Sequence, residues 1–329
     1  MADQEPIQDT TLSAEMMDET PADTLGDWAH TAAAEGEVTH GPGAEPWLLA
    51  GLEAQEALLQ STVDALRTGG TELEVLSHAA EWLLDNFYLA QQSVREIRED
   101  MPRGFYRRLP KLVGGPLQGY PRIYDLARRL VEDSGAQLDL ERVQRFVAFY
   151  QEETPLTTGE LWALPVMLRF SVLAVLAQAA GQIMGFTSPA TNPAERNETV
   201  TRPLKGPLSN DDVVANCFTS LRSMATHDWQ SFFERVSQVE QILRDDPAGV
   251  YAIMDRATRD RYRGIVEEIA LATAQTEPAV AQAAVALAAA ASHEPAAAPR
   301  AENVVRRPDQ EGWESLDLRP EAHVGYYLL

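Results

Sequence analysis

The chain has 329 residues, enough for one large domain or two average ones, and 45% of them are hydrophobic, so a sizeable core can form. A formal net charge of −23 works against nucleic acid and anionic lipid, both of which select a basic face. The single cysteine, Cys217, excludes an intrachain disulfide and a thiolate metal cluster, and it suits a reducing compartment.

In chain order, residues 1–46 are acidic, with Asp3, Glu15, Asp18, Glu19 and Glu35 and no Lys or Arg. They hold few large apolar residues and are expected to form a disordered tail, because such a segment buries too little to offset its ordering entropy. No basic start followed by an apolar run marks a secretory signal. Order is expected from Trp47, where Leu48, Leu52, Leu59, Val63 and Leu66 give an amphipathic helix ended by Gly69-Gly70. Thr71 with Glu74 is placed to cap the next helix. Its apolar positions Leu73, Leu76, Ala80, Leu83, Phe87, Ala90, Val94, Ile97 and Met101 alternate three and four apart, so they share one face.

The stretch from Phe105 to Pro121 is basic, aromatic and broken by Gly and Pro. Pro121 suits a helix start leading into Ile123, Tyr124, Leu126, Leu130 and Val131. Asp139 is placed as the N-cap of a helix carrying Phe146, Val147 and Tyr150, with Leu138 stapled onto Val143. Thr157 and Glu160 form a capping box that opens a long apolar helix through Met184. Leu161 to Ala180 is the stretch nearest to a membrane span, but Arg169 near its centre would cost about 2.5–3.5 kcal/mol in lipid, so it is read as a core helix. The Thr/Asn/Pro-rich 185–207 region is expected to be an exposed loop.

Ser209 with Asp212 begins a helix apolar at Val213, Cys217, Leu221 and Met224. Asp228 caps another, with Phe232, Val236, Val239 and Leu243, and Tyr262, Ile265, Val266 and Ile269 mark the last strong one. The organisation expected is an acidic tail (1–46), an α-helical domain (47–275), an Ala/Pro-rich linker (276–312) and a truncated membrane-proximal start (313–329), the last because the apolar HVGYYLL has nothing after it. No alternating strand pattern of useful length occurs, so the fold class is all-α, an irregular multi-helix bundle.

The sequence holds no self-sufficient catalytic set. The six histidines are scattered, without the spacing of a helical zinc motif. Asp211-Asp212 and Asp245-Asp246 read as helix caps, not as an Asp-rich magnesium motif. Gly114-Gly115 lacks the spacing and lysine of a phosphate loop, and no Asp-x-Asp pair is present to hold a metal and a sugar-nucleotide diphosphate. Cys217 lies on an apolar helix face and reads as a core residue. Two basic clusters stand out as docking or sugar/phosphate contacts. The first is Arg103, Tyr106, Arg107, Arg108, Lys111, Tyr120, Arg122 and Tyr124; the second is Arg259, Arg261 and Arg263. Both are also explained as packed aromatics and arginines that pair with neighbouring acids, the reading preferred for the first.

The runs AEWLLDNFYLAQQSVREIREDMPRGFYRRLPKL (Ala80 to Leu112), GYPRIYDLA (Gly119 to Ala127), FVAFYQEETPLTTGELWALPVMLR (Phe146 to Arg169), DWQSFFERVSQVEQILRDDPAGVYAIMDRATRDRYR (Asp228 to Arg263) and HVGYYL (His323 to Leu328) resemble, in that order, the N-terminal region of cyclic β-1,2-glucan synthases. The resemblance implies a helical region on the cytoplasmic side of the bacterial inner membrane, ahead of a membrane-embedded glycosyltransferase. That enzyme uses UDP-glucose as donor with a divalent metal; neither is implied for this chain, and no catalytic residue is carried over. The expected partner is the downstream glycosyltransferase and membrane region of the same polypeptide, with nucleic acid excluded and β-1,2-glucan as a further ligand. Two other roles fit the same residues: a stand-alone helical protein-interaction module, and a glucan-binding domain in which Tyr106, Tyr120 and Tyr124 stack on the sugar.

Overall fold

Helix signals that combine apolar spacing with a cap are the ones the chain obeys most closely. The computed structural model describes residues 21–39, 47–68, 78–185, 204–205, 207–293, 304–306, 313–315 and 319–329. In chain order the elements are α1 (Pro21–Ala34), β1 (Val38–Thr39), α2 (Trp47–Thr68), α3 (His78–Asp100), α4 (Arg103–Arg108), β2 (Lys111–Leu112), α5 (Arg122–Asp133), α6 (Leu140–Glu153) and α7 (Thr158–Ile183). There follow α8 (Asn210–Thr226), α9 (Trp229–Val236), α10 (Gln238–Arg244), α11 (Arg256–Thr273), α12 (Glu277–His293), β3 (Val304–Arg306), β4 (Trp313–Ser315) and α13 (Gly325–Leu328). The strands form two short antiparallel pairs, β1 with β2 and β3 with β4, so the fold is all-α as expected.

The caps follow side-chain chemistry. Thr157 and Glu160 make a full capping box on α7, as do Ser209 and Asp212 on α8, while Asp139, Asp228 and Asp255 each accept a backbone N–H at the start of α6, α9 and α11. Asp211 serves a second helix by accepting the Ala79 N–H at 2.9 Å, which ties α8 to the start of α3. One expected helix divides: Ser237 interrupts the run from Asp228 to Leu243 and caps α10 with its own hydroxyl, accepting from Glu240 N.

At the centre lies α7, packed on α2, α3, α5 and α8. It is apolar around most of its circumference because most of it is surrounded. It is the one helix among the described residues long and apolar enough to cross a membrane, and 78% of its most apolar stretch is buried inside the fold. Its Arg169 is neutralised by Glu96 at 3.0 Å and lies 5.9 Å from the Trp229 ring. A second, smaller core gathers Leu243, Tyr251, Val266, Ala281, Ala288 and Val324 between α10, α11, α12 and α13.

Ordered elements lie in three segments expected outside the helical domain. The acidic tail was expected to run to Pro46, but α1 and β1 occupy part of it: Leu25, Ala29, Ala32 and Ala33 are buried, and Trp28 packs 4.5 Å from Phe146 on α6. Small residues bury little area each, so composition alone hides such a helix. Residues 1–20 and 40–46 lie outside the described residues, as do the Gly69-Gly70 stop, the Thr71 cap and most of the 185–207 loop. The Ala-rich start of the expected linker is α12, whose Val280, Ala281, Ala284 and Ala288 are buried against α10 and α11. The apolar end also has a place in the second core, with Val324 and Leu328 buried. Asp246 holds it there by accepting the Val324 N–H at 3.0 Å and bonding His323 Nδ1 at 2.8 Å.

One buried acid links the cores. Glu277, the first residue of α12, accepts from the Thr158 N–H at 2.9 Å and the Thr158 hydroxyl at 2.6 Å, at the start of α7. Burial pushes its carboxyl up to about 7, partly opposed by the two Thr158 hydrogen bonds, while nearby Glu267 and Glu160 push it further up. A folded-state pKa above the unfolded value means that the native state binds the extra proton, so this stabilisation is present at low pH and is lost as pH rises from about 4.5 to about 7. The loss is on the order of 3 kcal/mol. Glu277→Gln keeps an acceptor for Thr158 and has no charge to desolvate. It is expected to raise Tm at pH 8, to leave Tm at pH 4.5 nearly unchanged, and to flatten the slope between them in thermal melts.

Candidate functional site

Arginines and aromatics can face outward to a ligand or inward to acids, and only packing decides. In the first cluster most face inward. Tyr106 is buried, which pushes its hydroxyl up to about 12. Lys111 is buried too; its Nζ donates to the carbonyls of Arg107 at 2.9 Å and Leu109 at 3.1 Å, closing the C-terminal end of α4. Burial pulls the Lys111 ammonium pKa down. Tyr120 and Tyr124 are buried and stacked on each other at 5.5 Å, and Tyr124 meets Phe170 of α7 edge-on. A glucan on the surface does not reach these three rings, so the tyrosine platform expected from the sequence is not formed.

Arg122 sits at the first position of α5 and makes a two-pronged ion pair with Glu160. Its Nε donates to Oε1 at 2.9 Å and Nη2 to Oε2 at 2.6 Å, with a further bond from Nη2 to the Pro155 carbonyl. Both side chains are buried. Arg107 and Arg108 are exposed, and Arg103 opens α4, its side chain outside the described residues.

The second cluster is likewise mostly internal. Arg263, 1% exposed, donates to Glu240 Oε2 and to Asp260, and its guanidinium lies 5.0 Å from the Phe233 ring. Arg259 bridges Glu240 Oε1 and Glu234, the latter at 2.8 Å. Tyr251 donates its hydroxyl to Glu240 Oε2 at 2.7 Å. Burial opposes ionisation of Glu240, but the Tyr251 hydrogen bond and the charges of Arg263 and Arg259 outweigh it and hold the carboxyl below its ordinary range. Of this cluster Arg261 is exposed.

Two concavities lie near the first cluster. The larger, about 810 Å³, runs between the end of α1, the loop before α5 and α5 itself. Its arginines are engaged with acids: Arg128 with Asp125 and Glu132, Arg129 with Asp125 and Glu35, and Arg122 with Glu160. The second, about 730 Å³, is a groove between α4, α7 and the start of α9, lined by Asp100, Phe105, Arg108, Trp162, Pro165, Val166, Arg169 and Trp229. Sequence reasoning missed its tryptophans because Trp162 sits inside an apolar run read as wholly core. The signal available was that Trp162, Pro165 and Arg169 share one helical face at spacings of three and four. No group of three or more His, Cys, Asp or Glu among the described residues could hold a metal ion. Cys217 is fully buried, which pushes its thiol pKa up and leaves it a core residue.

No family model matches the chain. In an alignment 273 positions long that covers 64% of the chain, it is 28% identical to the cyclic β-(1,2)-glucan synthase NdvB of Rhizobium meliloti (strain 1021). The chain is distantly related to that synthase, and the match spans 10% of the synthase's own length.

Proposed function

We propose that the chain is a helical accessory region of cyclic β-1,2-glucan synthesis. It docks on and stabilises a UDP-glucose-dependent glycosyltransferase whose active site lies outside it, at the cytoplasmic side of a bacterial inner membrane. The observation that carries this reading is the relation to a cyclic β-(1,2)-glucan synthase over most of the chain and a tenth of the synthase. The inward-facing arginines agree with it: Arg122, Arg259 and Arg263 neutralise Glu160, Glu234 and Glu240 instead of presenting a diphosphate site. In this reading the sugar nucleotide and its metal belong to the glycosyltransferase.

The test removes the matching segment from the synthase and supplies this chain in trans. Cyclic β-1,2-glucan output is expected to fall on deletion and to recover with the chain, while the chain alone releases no UDP from UDP-glucose. Undiminished output from the shortened synthase, or UDP release by the chain alone, overturns the proposal.

A further inference from the structure

Sugar rings are bound by aromatic side chains that meet their C–H faces and by planar polar groups that meet their hydroxyls. The groove between α4, α7 and α9 has both kinds of group, and two of its charged side chains, Asp100 and Arg108, are exposed. Trp162 is 39% exposed, and its other face is stacked on Phe233 at 4.5 Å and 22°, which fixes the indole as a platform. Phe105 and Trp229, both half-buried, line the same groove, and Trp229 is oriented by donating its indole N–H to the Met224 carbonyl at 2.9 Å.

Around these rings, Asp100 and Arg108 are exposed; neither makes an ion pair within 4 Å among the described residues, and their charges act at longer range on Arg169 and Glu267. The Trp162 indole N–H donates to no described residue. Pro165 lacks the N–H that the carbonyl of Leu161 would accept in an uninterrupted helix. An exposed guanidinium and an exposed carboxylate, beside an Arg169 already neutralised by Glu96, suit a neutral polyol better than an anion or a cation. In the larger concavity, by contrast, a hydroxyl would have to displace existing ion pairs.

We infer that this groove binds a segment of glucan chain, with Trp162 as the stacking platform and Arg108 and Asp100 on the hydroxyls. The choice of β-1,2-linked glucose rests on the proposed function; the choice of a saccharide rests on the groove. Its volume lies within the range of small-molecule sites.

The experiment titrates the full chain with linear β-1,2-linked gluco-oligosaccharides, following tryptophan fluorescence and calorimetry, with malto-oligosaccharides as comparison. Saturable binding is expected, weakened roughly tenfold by Trp162→Ala. Because Trp162 also packs on Phe233, Arg108→Ala is the second variant; it lies at the surface and is expected to weaken binding several-fold with an unchanged circular dichroism spectrum. No saturable response, an equal response to malto-oligosaccharides, or wild-type affinity in Arg108→Ala overturns the inference. Binding is read on the chain alone and docking on polymer output, so the failure of one is distinguishable from the failure of the other.

Discussion

Replacing Glu160 by alanine is expected to lower the unfolding free energy by about 4 kcal/mol, as measured by urea denaturation with tryptophan fluorescence. Two things are lost together. The buried Arg122 guanidinium keeps its charge but loses its carboxylate, and an uncompensated buried charge is the expensive half of breaking a buried pair. The capping box on α7 also disappears, since Glu160 Oε2 accepts the Thr157 N–H at 2.9 Å. That frays the start of the helix at the centre of the larger core. Arg122→Met with Glu160→Leu together is expected to recover part of the loss, because two apolar side chains carry no desolvation penalty. The cap stays missing in that double variant, and the Arg122 bond to the Pro155 carbonyl is lost as well. A loss below about 1 kcal/mol for Glu160→Ala would mean that the pair behaves as an exposed one.

Legibility in the sequence followed the range of the interaction. The face of α3 was readable because Ala80, Leu83, Phe87, Ala90, Val94 and Ile97 repeat with the helical period, and all are buried. The capping boxes at Thr157 and Ser209 were readable because donor and acceptor lie three residues apart. The direction of the arginines was not. Arg122 finds its acid 38 residues away and Arg263 finds Glu240 23 residues away, and a run such as DRATRDRYR looks the same whether it faces solvent or a buried carboxylate.

Alanine concealed two helices for a related reason. In α12 and α1 each buried methyl contributes little, and the stabilisation comes from close approach to partner helices that local sequence does not name. The candidate groove was invisible for the opposite reason. By its apolar run Trp162 reads as interior, although α4 and α9 leave its outer face uncovered.

Glu240→Ala is expected to be as damaging as Glu160→Ala, at about 3–5 kcal/mol, but in a different place. Its carboxylate is the common acceptor for Arg244, Arg259, Arg263 and the Tyr251 hydroxyl, so its removal leaves a buried arginine and a buried phenol unpartnered. These groups sit on α10, α11 and the turn between them, and α12 and α13 pack on that frame. Hydrogen exchange is therefore expected to lose protection in α10 to α13 while the centres of α3 and α7 stay protected, because the larger core has its own apolar contacts. The pH dependence carries the opposite sign from that of Glu277. A carboxyl held below its ordinary range contributes stability above its unfolded pKa of about 4.5, and that contribution is lost as pH falls through the lower folded value. Wild-type protein is thus squeezed from both sides, by Glu240 in acid and by Glu277 towards neutrality, and Glu240→Gln is expected to lose the acid limb while keeping the other. Uniform loss of protection across both cores in Glu240→Ala would show instead that α7, α9 and α11 couple them into one cooperative unit.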